Sequence, residues 1–124
     1  MRVYLAGPMT GIEDFNRPAF EAAAKKLRLL GYDIINPART WLPEGADSWQ
    51  DYMRVTTRQL TQCDAVALLP GWEQSVGAQI ERRWAEAVGL VVLPLDQWKA
   101  PRRFNDSPPD HPTAAFRRFR EARG

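Results

Sequence analysis

Two short segments of this 124-residue chain carry residue types and spacings that could do chemistry. One is Gly7-Pro8-Met9-Thr10-Gly11. The other is Pro70-Gly71-Trp72-Glu73-Gln74-Ser75-Val76-Gly77-Ala78-Gln79-Ile80-Glu81. In the second, Ser75 stands where a helix would begin, and a helix N-terminus offers free backbone N–H groups to an anion or hydroxyl. Gly77 strips the side chain from the first turn. Glu81 follows four residues later, on the same helix face. A carboxylate beside an apolar stripe, facing a gap left by glycine, suits chemistry on a ligand in that gap. A boundary glutamate paired with Arg82 or with a neighbouring helix has the same spacing, and both readings stand. In the first segment two glycines allow a close approach of backbone to ligand. No Gly-Lys-Ser/Thr follows, so it is not a Walker loop, and a third glycine is missing for a dinucleotide fingerprint. A plain turn and a ligand cradle fit it equally.

The elements that must position these segments alternate along the chain. Arg2 to Ala6, Tyr32 to Asn36, Asp64 to Leu69 and Leu90 to Leu93 read as strands, each followed within two residues by proline. Between them lie helical patterns. Phe20, Ala23, Leu27 and Leu30 follow Asn16 as expected N-cap. Trp49, Tyr52 or Met53, Thr56 and Leu60 follow a Ser48/Asp51 capping box. Val76, Ile80, Trp84, Ala87 and Val88 form the expected core stripe of the third helix. Short apolar strands alternating with helices predict a doubly wound parallel α/β sheet of four or five strands with helices on both faces. Ligands then sit beyond the carboxyl ends of the strands, at Gly7–Gly11, Asn36–Trp41, Pro70–Ser75 and after Pro94.

Composition bounds the classes. One Cys and one His make a Cys/His zinc cluster and an internal disulfide unexpected, so neither metal nor cofactor is foreseen. The sequence has no apolar run of membrane-span length and no signal-peptide pattern, and predicts a reduced, cytoplasmic chain. Residues Met1 to Trp98 carry 10 basic and 12 acidic side chains, whereas Lys99 to Gly124 carry 7 and 3. The expected organisation is therefore a body over residues 1–98 and a basic loop with a short helix over 99–124. Nucleic acid is the weakest reading of that tail.

Tyr4-Leu5-Ala6-Gly7-Pro8-Met9-Thr10-Gly11, Asn36-Pro37, Cys63-Asp64-Ala65-Val66-Ala67-Leu68-Leu69-Pro70-Gly71-Trp72 and Ser75-x-Gly77-x-x-x-Glu81 together resemble the nucleoside 2-deoxyribosyltransferase-like superfamily. That superfamily includes deoxynucleoside 5′-monophosphate N-glycosidases, and the similarity is greatest to its small, often phage-associated branch. The resemblance spans Met1 to about Leu95. It implies a flavodoxin-like sheet, a small-molecule nucleoside or nucleotide partner, and a homodimer or higher homo-oligomer. It further implies that Glu81 is the nucleophile attacking the anomeric carbon, with Tyr4 beside it as hydrogen-bond partner. Ser75 matches the position that contacts the 5′-phosphate in the monophosphate hydrolases, which favours hydrolysis of a monophosphate over transfer. Gly7, Pro8, Met9, Thr10 and Gly11 would wrap the sugar-phosphate side, with Trp72 and Gly77 completing the pocket. One position departs: the family's Asp before the third strand is Thr56 here, and threonine is no acid at neutral pH. A nucleotide-binding module with weak or no catalysis is the alternative this departure implies.

Other residues carry structural expectations. Asp64 reads as a cap at the amino end of its strand, Cys63 as a small buried residue, and Trp84 as packing. Trp41 and Trp49 read as lid or interface residues, and Arg102, Arg103 and His111 as surface. Phe116 and Phe119 in the tail read as interface.

Overall fold

Val3, Tyr4, Leu5 and Ala6 are all buried, because this strand has a partner on each edge and helices on each face. The computed structural model describes residues 1–40, 45 and 47–101. The expectations for Trp41, Arg102, Arg103, His111, Phe116, Phe119 and the tail helix fall outside these residues. In chain order the elements are β1 (Arg2–Ala6), α1 (Arg17–Leu29), β2 (Asp33–Ile35), α2 (Trp49–Thr61), β3 (Ala65–Leu68), α3 (Val76–Ala87) and β4 (Val91–Pro94). All strand pairs are parallel, in the order β2-β1-β3-β4. This is the doubly wound, flavodoxin-like α/β arrangement, with four strands among the described residues. The chain steps outward from β1 to β2 and then returns past β1 to β3. The carboxyl ends of β1 and β3 therefore flank the topological switch point, where this architecture holds ligands.

Alternation along β1 divides the core. Val3 and Leu5 face α1, whose Phe20, Ala23, Ala24 and Leu27 are buried against them. Tyr4 and Ala6 face α2 and α3, through Leu60, Ala78 and Ala85. Trp98 closes the α1 side. Its indole N–H donates to Leu93 O at 3.1 Å, and its ring meets Tyr32 edge-on at 5.1 Å. At the opposite end of the strands Asp64 accepts from Arg2 N at 2.8 Å, a structural tie remote from the carboxyl ends.

The Ser48 capping box forms. Ser48 Oγ accepts from Asp51 N at 3.0 Å and the Asp51 carboxylate accepts from Ser48 N at 3.4 Å. Asn16 differs from its expected role. It precedes α1 at φ 61° without a side-chain cap, and its amide instead donates to Pro8 O at 2.9 Å. Asp14, Phe15 and Asn16 all take left-handed φ, an arrangement uncommon outside glycine.

The α3 stripe also differs. Val76, Ile80, Trp84 and Val88 face outward, and Trp84 is 42% exposed rather than packed in the core. The residues that α3 buries are Ala78, Glu81 and Ala85. Two alanines let the helix lie close against the sheet, and that closeness leaves no room for the bulky stripe on the inner side. A carboxylate is carried inward instead.

Candidate active site

Glu81 is 6% exposed, and the cause is the helix that carries it. With Ala78 and Ala85 on the same face, α3 sinks toward β1 and β3 and aims the Glu81 carboxyl at Tyr4. The Tyr4 hydroxyl donates to Glu81 Oε2, joining residues 77 apart in sequence. Burial raises the Glu81 pKa to about 7, because a carboxylate loses its hydration there, while the Tyr4 and Thr56 hydroxyls pull the value back down. Burial likewise pushes the Tyr4 phenol well above its ordinary range, with the neighbouring Glu81 charge acting in the same sense. Near neutral pH the pair is thus a neutral phenol donating to a carboxyl about half ionised. A boundary glutamate paired with Arg82 does not describe it, since Arg82 turns away to Glu86 at 2.9 Å.

The two segments singled out by residue type meet at the carboxyl ends of β1 and β3. Leu69 N donates to Ala6 O at 2.8 Å. A Cβ on Gly7 would stand 2.7 Å from Leu69 Cβ, so this glycine admits a neighbouring side chain. Gly71, at φ 87°, passes Pro8 so closely that its own Cβ would lie 3.3 Å from Pro8 Cγ. Between these loops opens a cleft of about 440 Å³, with Pro8, Thr10, Asn16, Leu69, Gly71 and Gln74 on its wall. Tyr4 and Glu81 do not line it, because they lie across the sheet on the α2–α3 side.

Ser75 caps α3, its hydroxyl oxygen accepting from Ala78 N at 3.2 Å, which leaves the hydroxyl proton to donate elsewhere. Ser75 and Glu81 are separated by about 9 Å along the helix axis. The space beside Gly77 is taken by α2, since an added Cβ would meet Met53 Sδ at 3.3 Å and Trp49 Cζ2 at 3.8 Å. Trp72 is partly buried, and the Arg82 guanidinium covers one ring face at 5.2 Å from its centre. Gly11 is exposed at φ 81°, with no atom near its Cβ position. Met9 reaches α2, where its sulfur accepts from the Tyr52 hydroxyl at 3.0 Å.

Residues 1–94 match the family described as Domain of unknown function (DUF4406). The chain belongs to this family. The match runs from β1 to the last residue of β4 and so contains both loops and all three helices. No curated protein matches the chain.

Two residues of this DUF4406 domain gain weight from the geometry. Thr56 is fully buried against Tyr4 and Glu81, and its hydroxyl, which donates to Met53 O at 3.3 Å, bears on the ionisation of both. It occupies the expected acid position with a group that cannot ionise. Tyr52 was legible only as one of two candidates for the inner face of α2. Its hydroxyl also lies 3.1 Å from Pro37 O, so it ties together the loops after β1 and β2. Burial and the Glu81 charge hold its phenol above the ordinary range. The signal for it was its position one turn before Thr56. Among the described residues, no three His, Cys, Asp or Glu side chains cluster as metal ligands would.

Proposed function

We propose that this chain cleaves the N-glycosidic bond of a nucleoside 5′-monophosphate through a covalent glycosyl-Glu81 intermediate. The observation that carries the proposal is the buried Glu81 carboxyl, hydrogen-bonded by Tyr4 and titrating near 7. A half-desolvated carboxylate is a better nucleophile than a fully hydrated one, and its pKa leaves much of it ionised at neutral pH. In the first step a Glu81 oxygen bonds to the anomeric carbon while the carbon–nitrogen bond breaks. The bonding pair leaves with the base, which takes up a proton. In the second step water attacks the same carbon, the ester bond to Glu81 breaks, and the water's proton is released. The sum is nucleotide plus water giving free base and sugar phosphate. Tyr4 holds one carboxyl oxygen and so leaves the other to attack.

Ser75 supports a monophosphate. Its free hydroxyl proton and the first N–H groups of α3 form a donor set suited to an anion, and a carboxylate there would repel one. The helical separation of Ser75 from Glu81 compares with the reach from the anomeric carbon to a 5′-phosphate. A second reading, nucleotide binding without turnover, is favoured by Thr56, which offers the leaving base no acid. We also read the chain as cytoplasmic. Burial pushes the Cys63 thiol up to about 11, which suits an inert, reduced cysteine. No helix among the described residues is long and apolar enough to cross a membrane.

The test is incubation with a panel of nucleosides and their 5′-monophosphates, with free base followed by chromatography. Base release from monophosphates that is lost in Glu81→Ala supports the glycosidase. If no base appears but a monophosphate raises the melting temperature, binding alone remains. An active wild type with an equally active Glu81→Ala rules out the nucleophile.

A further inference from the structure

The outer face of α3 is apolar along its whole length. Val76 is 65% exposed, Ile80 39%, Trp84 42% and Val88 52%, and Trp49 of α2, 43% exposed, reaches the Gly77 position beside them. The outward faces of the other two helices are polar, with Lys25, Lys26 and Arg28 on α1 and Gln50, Arg54 and Arg58 on α2. The five side chains expose on the order of 500 Å² of apolar surface, a patch of the size that marks an interaction site on a soluble protein.

We infer that this stripe is a self-association surface, on which α3 packs antiparallel against α3 of a second copy about a two-fold axis. The spacing selects a copy of the same chain. The stripe repeats every four residues and is centred near position 82. An antiparallel rotation about that centre sets Ile80 against the partner's Trp84 and Val76 against the partner's Val88. Every apolar residue then meets an apolar residue, which is the self-complementarity a two-fold contact requires. Burying the patch on both copies removes about 1,000 Å² before the polar rim is added, the lower bound for a specific interface. The chain's own continuation is the other available cover. The described chain ends at Pro101 beside Gly31, next to α1 and on the face of the sheet opposite α3. A second copy approaches α3 directly, whereas residues 102–124 would have to pass around the sheet edge. The contact lies one turn from Ser75 and Gly77, so the partner would border the candidate active site without supplying its carboxyl. The inference stands apart from the glycosidase reading, since association is measured without substrate.

The experiment is analytical ultracentrifugation of the full chain over a concentration series. Wild type sediments at two chain masses. Ile80→Lys and Trp84→Glu each sediment at one chain mass or show a dimer dissociation constant raised about tenfold or more. Both remain folded by circular dichroism, since these side chains point outward. Mixing the two variants restores the dimer, because position 80 of one then meets position 84 of the other with opposite charge and the second such contact stays wild type. Val76→Lys with Val88→Glu repeats the test on the outer pair should either inner variant unfold. A wild type that sediments at one chain mass at every concentration overturns the inference. So does a dimer that all four substitutions leave intact, and failure of both mixtures to reassociate overturns the antiparallel pairing.

Discussion

A carboxyl group that titrates near 7 inside a folded chain makes stability depend on pH in a definite direction. Glu81 has a folded value of about 7 against an ordinary 4.5. Between those values the folded chain holds a proton that the unfolded chain has released, so stability falls as pH rises through the window. Above it the deficit amounts to about 3 kcal/mol. Glu81→Gln removes the titration and keeps the shape. The variant should match wild type in melting temperature near pH 4 and exceed it near pH 8. A gap of equal size at both pH values would place the raised pKa elsewhere. Tyr4→Phe acts on the same group with the opposite emphasis. The phenol favours the ionised carboxyl, so its loss should move the Glu81 titration to higher pH, read from the carboxyl carbon by NMR. The acid limb of kcat/KM for base release should move with it.

At the scale of elements, the carboxyl ends of β1 and β3 are held by van der Waals contact as much as by hydrogen bonds. Gly7→Ala would place a methyl 2.7 Å from Leu69 Cβ, an atom fixed by its own backbone bond to Ala6. The variant should lose about 1–3 kcal/mol, seen as a lower urea midpoint. Most of this element order was legible in the chain. Four apolar runs, the glycine and proline stops and the Ser48/Asp51 box placed β1 to β4 and the start of α2. The orientation of α3 was not legible. Its bulky residues define an apolar stripe by periodicity, and periodicity reports that a face is apolar without reporting what covers it. The inner face is built from alanines, whose weak apolar signal the stripe outweighs. Asn16 failed as a cap for a related reason. Its preference for caps and for left-handed backbone comes from one short polar side chain, and here the left-handed backbone and a bond to Pro8 prevail. At the site, Ser75, Tyr4 and Glu81 could be named from sequence. Tyr52 gained its place only from the approach of Met9 and Pro37, which no local pattern encodes.

The whole molecule extends past the last strand. Trp98 is 6% exposed, is held edge-on by Tyr32, and closes the α1 side of the sheet, while the Tyr32 hydroxyl donates to Lys99 O at 2.6 Å. Trp98→Ala should cost about 3–5 kcal/mol in chemical denaturation, a large part of the ~5–15 kcal/mol that a domain commonly has. The central position of β1 bears on how the chain reaches this state. Arg2 and Asp64, joined at the amino ends of β1 and β3, are 62 residues apart in sequence. No hairpin can seed such a sheet, and the entropy of closing a loop of that length must be met before the strands reward it. Folding should therefore be governed by the docking of β3 onto β1. Substitutions at Val66 or Ala67 should slow refolding, whereas losses confined to the Ser48 cap should act mainly on unfolding.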